Sequence, residues 1–131
     1  MKVYKVLYRE KRELWSFCKS FKHPKYDIYP RRYFVRRKTE PLEGTFLLAF
    51  KTLEDAERFF IAEFGTGNKE IWECEAEVVE AKNIEYRFDF VLWGELWESF
   101  KIVDEGTKTM DKLFVPGTVL CNWIKIERRV K

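Results

Sequence analysis

Arginines interleaved with aromatic residues are the groups in this sequence best suited to chemistry. Positions 31 to 38 read Arg31-Arg32-Tyr33-Phe34-Val35-Arg36-Arg37-Lys38. A guanidinium is a planar fork whose paired N–H donors match phosphate oxygens, and an aromatic face stacks on a base. Arg31, Arg36 and Arg37 are therefore candidates for holding phosphate. Further on, Arg87 stands beside an aromatic cluster of Phe88, Phe90, Trp93 and Trp97. From it Arg87, Phe90 and Trp93 are candidates for contacting a base or ribose. Both groups also have plainer explanations. A charged edge strand resists edge-to-edge pairing, and the helical spacing of Trp93, Trp97 and Phe100 suits a helix packed on a sheet.

Other chemistries find little support. Glu73, Glu75 and Glu77 share one face of an alternating segment, but a solvated sheet face explains them without acid–base or metal work. The single histidine, His23, has no Cys, Ser or carboxylate at a telling spacing. Ser16, Ser20 and Ser99 sit in no nucleophile motif. Gly65-Thr66-Gly67 lacks a following Lys-Ser/Thr, so it is no phosphate-cradling loop. Cys18, Cys74 and Cys121 are far apart and cannot complete a zinc site. Cys74 and Cys121 fall in apolar strand patterns and read as buried thiols. No catalytic residue, metal ligand or cofactor is expected, which points to a binding protein and not an enzyme.

The balance of charge points the same way. The net charge of +3 is too small by itself to argue for nucleic acid. Its distribution is uneven, however. Residues 19 to 38 carry Lys19, Lys22, Lys25, Arg31, Arg32, Arg36, Arg37 and Lys38 against Asp27 alone, so the rest of the chain is net negative. With 131 residues, 18% aromatic and 36% charged, the chain reads as a single domain, 1–131, with a substantial core and a solvated surface. No run approaches membrane-spanning length and the N-terminus lacks a signal-peptide pattern, so a reducing cytoplasm and no membrane partner are expected.

The elements that must position these groups are clearest between Gly44 and Val79. Phe46 to Phe50 is an apolar strand. Thr52 caps a helix running to Phe64, with Asp55 three residues on completing a capping-box variant. Leu53, Ala56, Phe59, Phe60 and Phe64 form its apolar stripe. Gly65 ends it, and Ile71 to Val79 is a strand in which Trp72, Cys74, Ala76 and Val78 alternate with the glutamates. The helix stripe is expected to lie on that apolar strand face.

Around this unit, Met1 to Tyr8 and Leu14 to Ser20 read as antiparallel strands joined by a charged turn. Phe21 to Pro30 reads as a loop and Arg31 to Arg37 as a short strand. Asn83 to Phe88 extends a strand, Asp89 to Phe100 has helical spacing despite Gly94, and Asp104 to Asp111 is polar loop. Pro116-Gly117 is a turn before the last strand, Thr118 to Arg128, which places Leu120, Ile124 and Ile126 on one face and Val119, Cys121 and Trp123 on the other. The fold class is α+β, a mostly antiparallel sheet with one or two helices packed on it.

The run Gly44-Thr45-Phe46-Leu47-Leu48-Ala49-Phe50-Lys51-Thr52-Leu53-Glu54-Asp55-Ala56-Glu57-Arg58-Phe59, then Glu70-Ile71-Trp72-Glu73-Cys74-Glu75 and Pro116-Gly117-Thr118-Val119-Leu120-Cys121, resembles small phage and prophage proteins. The layout is similar to the type-one Thoeris anti-defence proteins. The resemblance implies a homo-oligomer that captures a cyclic signalling nucleotide between subunits in the host cytoplasm, without cleaving it and without a cofactor. No binding position of that family is carried over to this chain. Two alternatives stay open: a nucleic-acid-binding protein using residues 19–38, and an inhibitor of a host protein using the Trp-rich segment.

Overall fold

The computed structural model describes residues 1–16, 30–41, 46–62, 68–80, 83–86, 91–92, 95–96, 100–103, 108–109 and 116–131. Among the described residues, twelve strands and one helix follow in the order β1 (Lys2–Glu10), β2 (Glu13–Trp15), β3 (Arg32–Tyr33), β4 (Lys38–Thr39), β5 (Phe46–Phe50), α1 (Leu53–Ala62), β6 (Asn68–Val79), β7 (Asn83–Tyr86), β8 (Val91–Leu92), β9 (Glu95–Leu96), β10 (Phe100–Val103), β11 (Lys108–Thr109) and β12 (Thr118–Arg129). Every pairing is antiparallel. The fold is thus α+β, as its sequence pattern indicates.

Two long strands of twelve residues each, β6 and β12, carry the sheet. β6 lies between β1 and β12, β5 follows β12, and a single bridge from Tyr4 to Phe50 joins β5 back to β1. The four strands therefore form a closed ring. Toward the C-terminal ends of β1 and β12 the ring widens. There β2 takes the free edge of β1 and β4 takes the free edge of β12, while β3 pairs with β2. The segment from β3 to β4 thereby closes the wide end.

Period-two alternation fills the ring. Val3, Leu7, Leu14, Tyr33, Leu47, Ala49, Trp72, Cys74, Ala76, Cys121, Ile124 and Ile126 form one buried cluster. Outside the ring, α1 lays Leu53, Ala56, Phe59 and Phe60 over Val6, Phe50 and Ile71. The helix therefore packs on the face of β6 opposite to the one expected. Ile71 shares its side with Glu73, and α1 covers only the start of that side, so the later glutamates stay in water.

The cap is as the sequence pattern requires. The Asp55 N–H donates to the Thr52 hydroxyl at 3.2 Å, and that hydroxyl donates to the Asp55 carboxylate at 2.7 Å. The carboxylate meets the hydroxyl, not the Thr52 amide of a standard capping box.

Three further expectations change. Within 89–100, where a helix is expected, the described residues are strands: β8 and β9 pair with Val91 opposite Leu96 and Leu92 opposite Glu95, and Phe100 opens β10. Within the polar stretch 104–111, Lys108–Thr109 is a strand paired to β7. In β12 the register slips between Cys121 and Trp123. This bulge inverts the alternation, so Cys121 and Ile124 face the same core and Trp123 turns outward.

One inward residue is a cation. Lys5, 2% exposed, lies in line with Val3 and Leu7 inside the ring. Its ammonium donates to the Leu48 carbonyl at 2.6 Å and stands 5.4 Å from the centre of the Tyr33 ring. The long stem fills core volume, which separates two substitutions. Lys5→Ala should cost about 2–4 kcal/mol through the cavity it leaves. Lys5→Met, which keeps the volume and removes a charge from the interior, should unfold within about 1 kcal/mol of wild type. Urea titration of the two variants measures both.

Candidate functional site

The basic segment is broken by a turn, not extended through Arg37. β3 stops at Tyr33, the Arg37 N–H donates to the Phe34 carbonyl at 3.2 Å, and Arg36 takes a left-handed φ of 63°. The Arg36 N–H donates to the Ile126 carbonyl at 2.8 Å, which docks the turn against β12. A strand through 31–37 would have set Val35 on the same face as Tyr33 and opposite Phe34. Instead Tyr33 is 2% exposed within the core, while the tip leaves Phe34 43% and Val35 47% exposed.

At that tip the cations gather on the ring. The Arg32 guanidinium lies 4.4 Å from the Phe34 ring centre and 3.1 Å from the Glu13 carboxylate. Arg37 lies 5.7 Å from the same ring. Arg36 is exposed beside them. Arg31 stands lower down. Its guanidinium donates to the Glu40 carbonyl, and its backbone exchanges hydrogen bonds of 2.8 Å with the Ser16 hydroxyl and amide. Of the three arginines expected to hold phosphate, Arg36 and Arg37 are at the tip and Arg31 braces its base.

A second group adjoins the turn on the outer sheet face. The Lys38 ammonium is 4.1 Å from the Trp123 ring centre. The Trp123 indole N–H donates to one Glu77 oxygen at 3.1 Å, and the Asn122 amide donates to the other at 2.9 Å. The bulge re-aims Asn122 and Trp123 toward Glu77, opposite Trp123 in register. Hydrogen bonds from Asn122 and then Trp123, with the Lys38 charge nearby, hold the Glu77 carboxyl below the usual range. The sequence contains a sign of this group that alternation alone passes over. Asn122 is a lone polar residue between the apolar runs Val119-Leu120-Cys121 and Trp123-Ile124, so strict alternation breaks down around it.

No family model, no curated protein and no solved structure matches this chain.

The remaining candidates divide in two. Arg87, Phe90 and Trp93, with Phe88, Trp97, His23, Cys18, Ser20 and Ser99, lie outside the described residues. Those that are described are engaged structurally. Glu73 meets Arg128 at 2.8 Å and Lys2 at 3.2 Å, and their hydrogen bonds hold its carboxyl below the usual range. Glu75 pairs with the Met1 amino group. Ser16 is buried in the hydrogen bonds just described. Cys74 and Cys121 are buried, and burial pushes the Cys74 thiol far up from its ordinary value. Among the described residues no group of three or more His, Cys, Asp or Glu is arranged to hold a metal ion. Nor, among them, is any helix long and apolar enough to cross a membrane.

Proposed function

We propose that this protein binds a phosphate-bearing nucleotide through the turn between β3 and β4 and leaves it intact. The observation that carries the proposal is the tip itself, where the Arg32 and Arg37 guanidinium groups lie near an exposed Phe34 beside the exposed side chain of Arg36. Planar guanidinium groups and an exposed ring offer a nucleotide the two contacts it needs, paired donors for phosphate and flat surfaces for a base. The turn is pinned at the Ile126 carbonyl, so the cations are presented from a fixed backbone. The resemblance to type-one Thoeris anti-defence proteins supports the finer proposal that the guest is a cyclic signal held by a homo-oligomer, without cofactor, in the cytoplasm of a phage host.

Calorimetric titration with cyclic dinucleotides, cyclic trinucleotides and cyclic ADP-ribose isomers tests this proposal. Saturable heat from one class is expected. Arg36→Ala with Arg37→Ala should weaken that binding at least tenfold, about 1.4 kcal/mol, as charge-assisted bonds to phosphate are lost. Silence across the panel would remove the proposal.

A row of exposed cations on a projecting turn also suits a polynucleotide backbone. Salt separates the two readings. Binding to a polyanion weakens steeply with log[salt] through counterion release, whereas a small ligand with few phosphates responds mildly.

A further inference from the structure

We infer that Trp123, Glu77 and Asn122 form a base-reading subsite beside the phosphate-binding turn, selective for guanine; this rests on the nucleotide-binding proposal above and extends it. Three observations carry it. Trp123 is a half-buried ring on the outer face, and the group on its π-surface is Lys38, a flexible side chain one residue beyond Arg37. A base that stacked on that face of Trp123 would take the place of the ammonium, which could then turn toward phosphate. Base–aromatic stacking is also generally stronger than an exposed cation–π contact.

The second observation is the orientation of the carboxylate. Indole and amide donors at 3.1 and 2.9 Å fix its two oxygens from the protein side. Glu77 is nonetheless exposed, and each oxygen keeps a further lone pair for a guest.

The third is chemical complementarity. An ionised carboxylate only accepts, so it pairs best with two adjacent N–H donors. On the Watson–Crick edge guanine offers that pair, N1–H beside N2–H. Adenine and cytosine place an acceptor next to their amino group, and uracil sets a single donor between two acceptors. Either arrangement would turn a lone pair against the carboxylate.

Lys38 and Trp123 sit on adjacent strands, because Lys38 pairs with Lys125 on β12. The proposed phosphate and base contacts are therefore contiguous. A purely structural cross-strand cluster would share this geometry but would not discriminate between bases, and that difference makes the inference testable.

The experiment is equilibrium dialysis of the full chain against cyclic di-GMP and cyclic di-AMP, which carry equal phosphate. The wild-type protein is expected to bind the guanine ligand at least tenfold more tightly. Glu77→Gln replaces one acceptor with a donor. It should reduce the preference to less than threefold, mainly by weakening the guanine ligand, with the adenine affinity and the salt dependence held. Arg36→Ala should weaken both ligands by the same factor. Equal affinity of wild type for the two ligands, or a guanine preference that survives Glu77→Gln in a variant of unchanged thermal midpoint, would overturn the subsite while leaving the nucleotide proposal standing. Binding of neither ligand by wild type would overturn the subsite as well, and the wider calorimetric panel then decides the parent proposal separately.

Discussion

Gly117→Ala should lower the unfolding free energy by about 2–4 kcal/mol, read as a lower urea midpoint at unchanged slope. Two costs combine. Gly117 adopts a φ of 84°, a left-handed conformation that costs a residue with a Cβ about 1 kcal/mol or more. The added methyl would also be driven into the Asp55 side chain. Asp55 cannot move freely, because its carboxylate and amide hold the Thr52 hydroxyl at the start of α1. Displacing it should weaken a cap worth about 1 kcal/mol. The Pro116-Gly117 turn and the helix start therefore form one joint, secured also by the Lys51 N–H donating to the Gly117 carbonyl at 2.8 Å. A double-mutant cycle with Asp55→Ala measures the coupling. The pair should cost less than the sum of the single changes, because much of what the methyl strikes is gone. Strict additivity would show that the close approach costs nothing.

Glu70→Ala should cost about 3 kcal/mol at neutral pH. Glu70 is 3% exposed at the rim of the ring. Arg9 grips it with two bonds of 2.7 and 2.9 Å, and the Trp72 indole donates at 3.0 Å. Arg129 adds its charge at 3.6 Å. Removing the carboxylate strands a half-buried guanidinium and a core indole donor together. The Arg9 hydrogen bonds outweigh the opposing effect of burial and hold the Glu70 carboxyl below its ordinary range. A carboxyl whose folded pKa is depressed stabilises the fold fully above its unfolded pKa, about 4.3, and loses that contribution as pH falls through the lower folded value. The wild-type and Glu70→Ala stability curves should therefore run parallel at neutral pH and converge below about pH 4. A gap that persists unchanged into acid would mean that the packing of the side chain matters and its charge does not.

The sequence made legible those features that rest on local chemistry. Thr52 and Asp55 announce a helix start, and α1 is there. The glutamates of β6 announce a wet face, and they are solvated or ion-paired. The turn at Gly117 follows from Pro-Gly. What failed was phase and partner choice. The periods of both elements were visible, but not that α1 would lie on Ile71 and leave Trp72 to the ring interior. That choice depends on which strands close the ring, a non-local property. The Asn122 bulge shifts the alternation of β12 by one residue, and only the slip in its apolar pattern marks it. Helical spacing over 89–100 lost to β pairing at Val91–Leu92 and Glu95–Leu96, since tertiary context overrides a weak local preference.

The candidate site was legible in composition and not in geometry. Arginines beside aromatic rings were evident. The turn at Arg36, the exposure of Val35 and the bracing position of Arg31 were not. Lys5 and Glu70 also escaped, because charged residues are rarely so buried and neither sits in a pattern that signals it.

The most direct measurement of the central proposal is equilibrium dialysis against a mixture of cyclic nucleotides, followed by mass spectrometry of what the denatured protein releases. One phosphorylated species should be recovered from wild type with its mass unchanged, and its yield should fall at least tenfold in the Arg36→Ala/Arg37→Ala variant. Recovery of a cleaved product, equal recovery from the variant, or no nucleotide retained by the wild-type protein would contradict it.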